Sequence, residues 1–302
     1  EVAGISRSKE LEFYYSPYFY NKNKKKYKFK KINIVKKKNE IIKFIKNFRP
    51  SVVVNYAAQG MVEESWYNPE DWYQTNLVSQ SILYKEISKF KFIKKFIHVS
   101  TPEVYGNISK PIKENFNFKP TTPYAISRAA MDLHLKNYFK YYKLPVIFTR
   151  TANIYGPYQP LYRIVPKSLI SAKKGIKLDL HGGGNSIRSF IYSGDVSNAT
   201  YIISKKGKLG ETYHISNNSY YTVKNLVKKI SKLQNVKFEN LCNISKDRIG
   251  KDYSYKLSFD KLKKLGWLPK IDIEEGLSKT KKWIDQNFIN LKKLPLTYKH
   301  KK

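Results

Sequence analysis

The feature that most constrains the fold is an alternation, across the first half of the chain, of short apolar runs with segments of helical period. The runs are VAGIS at 2–6, a weaker one at 29–35, SVVVNYA at 51–57, KFIHVS at 95–100 and PVIFTR at 145–150. They are continuous instead of alternating, as expected of parallel strands covered on both faces. Between them, Ile41, Ile42, Phe44, Ile45 and Phe48 recur at helical spacing and Pro50 stops the pattern. Segments 69–90 and 122–142 read as longer helices, the second with Pro123 in its first turn. Strands separated by helices predict an α/β fold, a Rossmann-type doubly wound parallel sheet. After Asn153 the elements shorten and mix: helices at 165–174, 195–205, 222–233, 259–265 and 273–287, extended segments at 178–181, 187–193 and 212–216. This predicts a sheet domain over 1–152, a smaller substrate-binding lobe over 153–290 with segments returning to the sheet, and a frayed basic tail over 291–302.

Charge narrows the partner classes. The 302 residues carry a formal net charge of +35, yet only seven of the 58 basic residues are arginine. Lysines lie along the whole chain and form no single stripe, so a solvated basic surface is expected and no nucleic-acid site. No apolar run reaches the ~18–20 residues of a membrane helix. One cysteine, Cys242, excludes an internal disulfide and fits a reducing cytoplasm. The histidines show no metal-ligand spacing. Arginine offers a planar fork that holds phosphate bidentately, so the few positions that keep it are candidates for binding anions.

Tyr124 and Arg128 lie four apart on a predicted helix and so share a face. A tyrosine is a poor base at neutral pH, and a fixed cation beside it favours the phenolate. Ser100 and Thr101 follow a strand, at the carboxyl end of a parallel sheet where such folds bind ligands. Hydroxyl, phenol and cation are what proton removal from a carbinol needs during its oxidation. Alone, the pair is equally an ordinary Tyr and Arg on a helix surface.

Motifs around it carry a resemblance. STPEVYG at 100–106, PYAISRAA at 123–130, NIYGPY at 153–158, HGGG at 181–184, RSFIY at 188–192, GETYHI at 210–215, DRIGKD at 247–252 and LGW at 265–267 occur in order. The chain resembles the NAD-dependent epimerase/dehydratase family, the extended short-chain dehydrogenases, and most closely the dTDP-glucose 4,6-dehydratase branch. The resemblance implies a homodimeric enzyme that acts on a nucleotide-diphosphate sugar by transient NAD- or NADP-dependent oxidation at sugar C4. It implies Tyr124 as base, Thr101 or Ser100 bonded to the C4 hydroxyl, and Glu103 as the group removing the C5 proton. It places Asn153, Arg188 and Arg248 on the nucleotide diphosphate, and Ala57, Ala58, Asn76, Tyr124 and Arg128 beside the cofactor. Arg7, after the strand 2–6, would meet the 2′-phosphate of NADP.

The sequence departs from the family pattern at three places. Arg128 stands for the usual lysine, and Pro102 for the aspartate of 4,6-dehydratases. Proline cannot protonate a leaving hydroxyl, which favours epimerase or simple C4 oxidoreductase chemistry over water elimination. No G-x-x-G-x-x-G turn exists in this chain, and 2–6 aligns with the second strand of the family. The expectation is therefore a fragment without its first strand and phosphate loop, binding NAD(P) poorly. An open slot, or a direct pairing, is expected between 2–6 and 51–57. From these departures follows the competing reading of an impaired relic or nucleotide-sugar-binding protein. A basic nucleic-acid binder is the third reading and rests on charge alone.

Overall fold

The computed structural model describes residues 1–247 and 253–301. The chain forms two compact units. Unit 1 comprises Glu1–Ser100, Thr122–Thr149 and Gly207–Thr212; unit 2 comprises Thr101–Thr121, Arg150–Lys206 and Tyr213–Lys302. The segment that follows Ser100 thus belongs with the later part of the chain, while Gly207–Thr212 returns to the first.

The elements of the first half are β1 (Val2–Ser6), β2 (Tyr27–Lys31), α1 (Lys38–Phe48), β3 (Val52–Asn55), α2 (Glu64–Tyr67), α3 (Pro69–Tyr73), α4 (Ser79–Ile87), β4 (Lys95–Ser100), α5 (Pro123–Tyr142) and β5 (Val146–Thr151). Then come β6 (Asn153–Tyr155), α6 (Ile164–Lys174), β7 (Leu178–His181), β8 (Ile187–Tyr192), α7 (Ser193–Lys206) and β9 (Thr212–Ile215). The chain continues through β10 (Tyr220–Thr222), α8 (Val223–Leu233), α9 (Phe238–Leu241), β11 (Cys242–Ser245), α10 (Asp260–Lys263) and α11 (Ile273–Leu291).

In unit 1, β1 and β2 form a parallel pair, and β3, β4 and β5 follow one another in a second sheet. β3 and β4 are parallel, from Val52 opposite Lys95 to Asn55 opposite His98. Phe96, Ile97, Val146, Ile147 and Phe148 fill the interior with Met131 and Leu135 of α5. α5 starts where the sequence dictates. Thr122 is its N-cap, accepting from the Ala125 amide at 3.1 Å, and Pro123 fills the first turn, where no N–H is needed. The helix expected at 69–90 is interrupted. A π turn at Gln74–Val78 joins α3 to α4 and turns Thr75 and Asn76 into the interior. Such wide turns shift side chains off the regular helical face, which periodicity alone does not reveal. Trp72 of α3 is wholly in the core.

A cavity of about 630 Å³ is lined by β1 on one part of its wall and by β3 on another, with Ile41 and Ile45 of α1 between them in sequence. Among the described residues the two strands are not hydrogen-bonded to each other. Val2, Ile5 and Val54 are exposed.

In unit 2, β8 is central in the order β10-β8-β6, antiparallel to β10 and parallel to β6. β7 and β11 pair in parallel and pack Leu178 and Leu180 against Val227 of α8 and Leu241. Thr222 and Asp272 cap α8 and α11 through the amides of Asn225 and Glu275. The tail expected to fray is anchored in part, since Leu291 is fully buried and Tyr298 packs edge-on against Tyr162. Among the described residues no helix is long and apolar enough to cross a membrane.

A two-strand parallel pair buries little and keeps unpaired edges, so it should open before the larger sheet. In native-state hydrogen exchange, the amides of β1 and β2 should exchange much faster than those of Phe96 and Ile97. Equal protection would contradict this reading of the sheet.

Candidate functional site

Two hydrogen-bond chains in unit 1 converge on α5. The first begins at Arg7, whose Nη2 donates to Gln59 Oε1 at 3.4 Å. Asn76 fixes the backbone of Gln59: its Oδ1 accepts from Gln59 N at 2.8 Å and its Nδ2 donates to Gln59 O at 3.0 Å. The same Nδ2 donates to Ser127 Oγ at 3.0 Å, and Ser127 donates to the carbonyl of Tyr124 at 2.7 Å. Asn76 is 0 % exposed. Its amide is thus spent inside the protein, and it braces the loop carrying Ala57 and Ala58 against the helix turn carrying Tyr124. Ala57 and Ala58 are exposed and line the cavity together with Arg7. Tyr124 is half-buried, its amide bonded to Ser65 Oγ at 3.2 Å.

The second chain lies deeper. Ala57 N donates to Asn55 Oδ1 at 2.9 Å, and Asn55 Nδ2 donates to the Tyr84 hydroxyl at 2.6 Å. Tyr84 Oη is 2.8 Å from His98 Nδ1, and His98 Nε2 is 3.4 Å from Asp132 Oδ1. Ser100 donates to Asp132 Oδ2 at 2.9 Å. The pattern closes consistently when His98 Nε2 accepts from Arg128, Nδ1–H donates to Tyr84 Oη, and Tyr84 in turn donates to Gln80 Oε1 at 3.2 Å. Burial pushes the Tyr84 phenol well above its ordinary pKa, so it stays a donor. Ser100 therefore faces Asp132, and of the two hydroxyls expected at this point of the chain it is the one already committed.

Arg128 lies within this layer at 2 % exposure. Its Nη2 donates to the carbonyl of Val99 and lies 3.4 Å from His98 Nε2. Nε and Nη1 are buried, and no described residue accepts from them. Buried guanidinium donors are normally satisfied, so a hydroxylated ligand at this helix face would meet a need that the protein leaves open. Here the residues present fit a nicotinamide cofactor's ribose. The G-x-x-G-x-x-G pattern that would take its pyrophosphate does not occur in the given sequence.

Unit 2 carries the remaining residues. Thr101 caps a 3-10 turn at Pro102–Tyr105, its Oγ1 accepting from the Glu103 amide at 3.3 Å. Pro102 is buried in the first position of that turn and Glu103 is half-buried beside it. The turn is held by Tyr105, which sequence reading did not single out. Its hydroxyl accepts from Arg150 Nη1 at 2.5 Å and lies 2.8 Å from His214 Nε2. Arg150 is fully buried, with its guanidinium carbon 4.8–5.1 Å from the ring centres of Phe118, Tyr105 and Phe116. His214 Nδ1 is 3.0 Å from the carbonyl of Ser258, which makes Nδ1 the donor and Nε2 an acceptor. Burial first, and then the Arg150 charge, hold His214 down to about 3. The signal available in the sequence was an arginine kept among lysines, at the end of the run 145–150.

Asn153 and Arg188 are joined through a third side chain. Tyr255 donates to Asn153 Oδ1, and the Arg188 guanidinium lies over the Tyr255 ring at 4.4 Å. Arg248 lies outside the described residues, as does Asp252 of the same motif. Among the described residues no group of three or more acidic, histidine or cysteine side chains is placed to hold a metal ion.

A family model described as GDP-mannose 4,6 dehydratase matches residues 1–280. A human protein, dTDP-D-glucose 4,6-dehydratase, is 35% identical over 247 residues, covering 80% of this chain and 70% of that protein. The fold is similar to a dTDP-glucose 4,6-dehydratase from Streptomyces venezuelae solved with NAD bound, with TM-score 0.83 and 26% identity, covering 89% of this chain and 83% of that one. It is also similar to a UDP-glucose 4-epimerase from Thermotoga maritima solved with UDP-glucose, with TM-score 0.84 and 26% identity, covering 95% and 91% of the two chains.

The His214 pKa implies a pH dependence of stability. Its folded value, about 3, lies below the unfolded ~6.5, so the stability it contributes is present above 6.5 and is lost as pH falls toward 3. Urea unfolding of the wild type should lose up to about 1.4 kcal/mol per pH unit from this one group across that window. His214→Gln should show a correspondingly shallower slope. Equal slopes would mean that His214 is not held neutral.

Proposed function

The chain belongs to the GDP-mannose 4,6-dehydratase family of NAD-dependent nucleotide-sugar epimerases and dehydratases, and on that premise we propose that it oxidises a nucleotide-diphosphate sugar at C4 with Tyr124 as base. The observation that carries the reading is Arg128. A buried cation with two unmet donors lies one helical turn from Tyr124, on the same face. Its charge favours the phenolate, and its donors suit ribose hydroxyls. When bound, NAD or NADP supplies the two-electron oxidation of the sugar carbon and its reversal.

The protein's own groups divide the remaining work. Tyr124 takes the proton of the C4 hydroxyl. Thr101 is the hydroxyl that orients it, because Ser100 is committed to Asp132. Thr101 accepts from the Glu103 amide and keeps its own hydrogen to donate. Glu103 removes the C5 proton once C4 is a ketone. Ala57 and Ala58 border the cofactor, with Asn76 as the brace behind them. Asn153, Arg188 and Arg248 hold the diphosphate. Assembly as a homodimer and residence in a reducing cytoplasm complete the reading. The latter is supported by the single, unpaired Cys242, since a reducing compartment needs no disulfide.

Pro102 decides the outcome after oxidation. The first position of the turn before Glu103 holds no proton donor, so loss of water from C5–C6 has no acid at that position. With dTDP-glucose and NAD in large excess in deuterated water, mass spectrometry should show one deuterium entering C5 without loss of water. Pro102→Asp, which suits the first position of a helical turn, should raise the yield of the dehydrated 4-keto-6-deoxy sugar. Rapid dehydration by the wild type would contradict this assignment.

Arg7 bears on the choice of cofactor. It follows β1, reaches Gln59 and lines the cavity. An arginine fork there favours the 2′-phosphate of NADP. Arg7→Ala should weaken NADP binding several-fold more than NAD binding in parallel titrations. Equal losses would remove Arg7 from the cofactor site.

A further inference from the structure

Tyr255 stands between two side chains that the proposed function assigns to the substrate. β6 and β8 are parallel, with Asn153 opposite Phe190. Side chains two apart on a strand share a face, so Arg188 and Asn153 project from one face of the small sheet. The backbone bearing Tyr255 is stitched to the start of β8, in the plane of the sheet. Ile187 N donates to Tyr253 O at 2.9 Å, Ser254 pairs with Ile187 in a parallel bridge, and Ile108 N donates to Ser254 O at 2.7 Å. Tyr255 is 5 % exposed. Its ring lies under the Arg188 guanidinium and its hydroxyl donates to Asn153 Oδ1.

Both contacts set orientation. A side-chain amide can present either its acceptor oxygen or its two N–H donors to a ligand. Turned the wrong way, Asn153 would aim a lone pair at an anion. The Tyr255 hydroxyl occupies Oδ1, and no described residue accepts from Nδ2. Arg188 Nη1 is tied to the carbonyls of Ile187 and Tyr253 at 2.8 and 3.0 Å, and the ring supports the guanidinium plane.

We propose that Tyr255 is a positioning residue: it fixes the Asn153 amide with its donors outward and the Arg188 fork in plane, so that the pair offers only donors to the phosphoryl oxygens of a nucleoside diphosphate. The inference rests on the reading that Asn153 and Arg188 bind that group. Tyr255→Phe keeps the ring under Arg188 and removes only the hydroxyl. Tyr255→Leu removes both.

The test uses dTDP binding by calorimetry, steady-state kinetics with dTDP-glucose, and side-chain amide ¹⁵N spectra of the unliganded protein. Tyr255→Phe should weaken dTDP binding about five- to tenfold, the net worth of one hydrogen bond of this kind, and raise KM with kcat unchanged. In an Asn153→Ala background, Tyr255→Phe should have no further effect, because the hydroxyl acts through the amide. Tyr255→Leu should weaken binding further in both backgrounds. The Asn153 amide pair, identified by its loss in Asn153→Ala, should move in Tyr255→Phe. A Tyr255→Phe effect of equal size in both backgrounds, or an Asn153 amide pair that does not move, would overturn the proposal. Wild-type protein that bound no dTDP, while the amide pair still moved, would remove the substrate reading and uphold the orientation of Asn153 by Tyr255.

Discussion

A guanidinium almost sealed from solvent cannot be accommodated unless its charge and its five donors are met, and Arg128 imposes that condition on unit 1. It meets the condition in part, through the Val99 carbonyl and a layer in which His98 and Asp132 are also fully buried. Asp132 sits four residues beyond Arg128 on α5, so one helix carries the cation and a compensating acid on one face. The remaining donors are left for something the protein does not itself provide. The site is thus fixed by a buried polar layer, and the proposed function assigns its remaining donors to the cofactor.

The same layer explains why so many short elements are held in place. The π turn after α3 points Asn76 inward, where it clamps both backbone groups of Gln59 and reaches Ser127. Asn55, Tyr84 and His98 tie the end of β3 to the helix from below. A loop that borders the cavity is thereby fastened at two levels, one ending at Tyr124 and one at Arg128. Unit 2 uses a comparable device. Arg150 in its cage of three aromatic rings, Tyr105 and a neutral His214 fasten the turn that carries Thr101 and Glu103. In both units a buried cation stiffens a segment that bears side chains assigned to the proposed chemistry; of these Tyr124 and Glu103 are half-buried and Thr101 is buried.

Much of this was legible in the sequence. The parallel-sheet alternation was readable because buried parallel strands leave continuous apolar runs, as β4 and β5 do, and both fall within one residue of the predicted segments. The start of α5 was readable because Thr122 and Pro123 are local signals. The π turn was not, since the apolar pattern of 69–90 runs through it. Nor were β6, β10 and β11, which are three or four residues long and owe their extension to neighbours far away in sequence. Tyr124 and Arg128 were legible as a pair four apart, whereas Asp132 and His98 look like ordinary helix and strand residues until burial is known. Tyr255 carried no signal of its own. Its position between Asn153 and Arg188 depends on the register of β6 against β8, and no spacing in the chain encodes that.

The central claim is that the face of α5 bearing Tyr124 and Arg128 performs proton removal during oxidation at the sugar carbon. The most direct test is a single-turnover measurement of nicotinamide reduction after mixing the NAD-saturated protein with dTDP-glucose, in wild type and Tyr124→Phe. The account predicts a burst of reduced nicotinamide in the wild type. It predicts that Tyr124→Phe loses the burst by at least about a hundredfold in rate, the usual scale of one general base, while dTDP-glucose affinity stays the same. Reduction at an undiminished rate in Tyr124→Phe would contradict it.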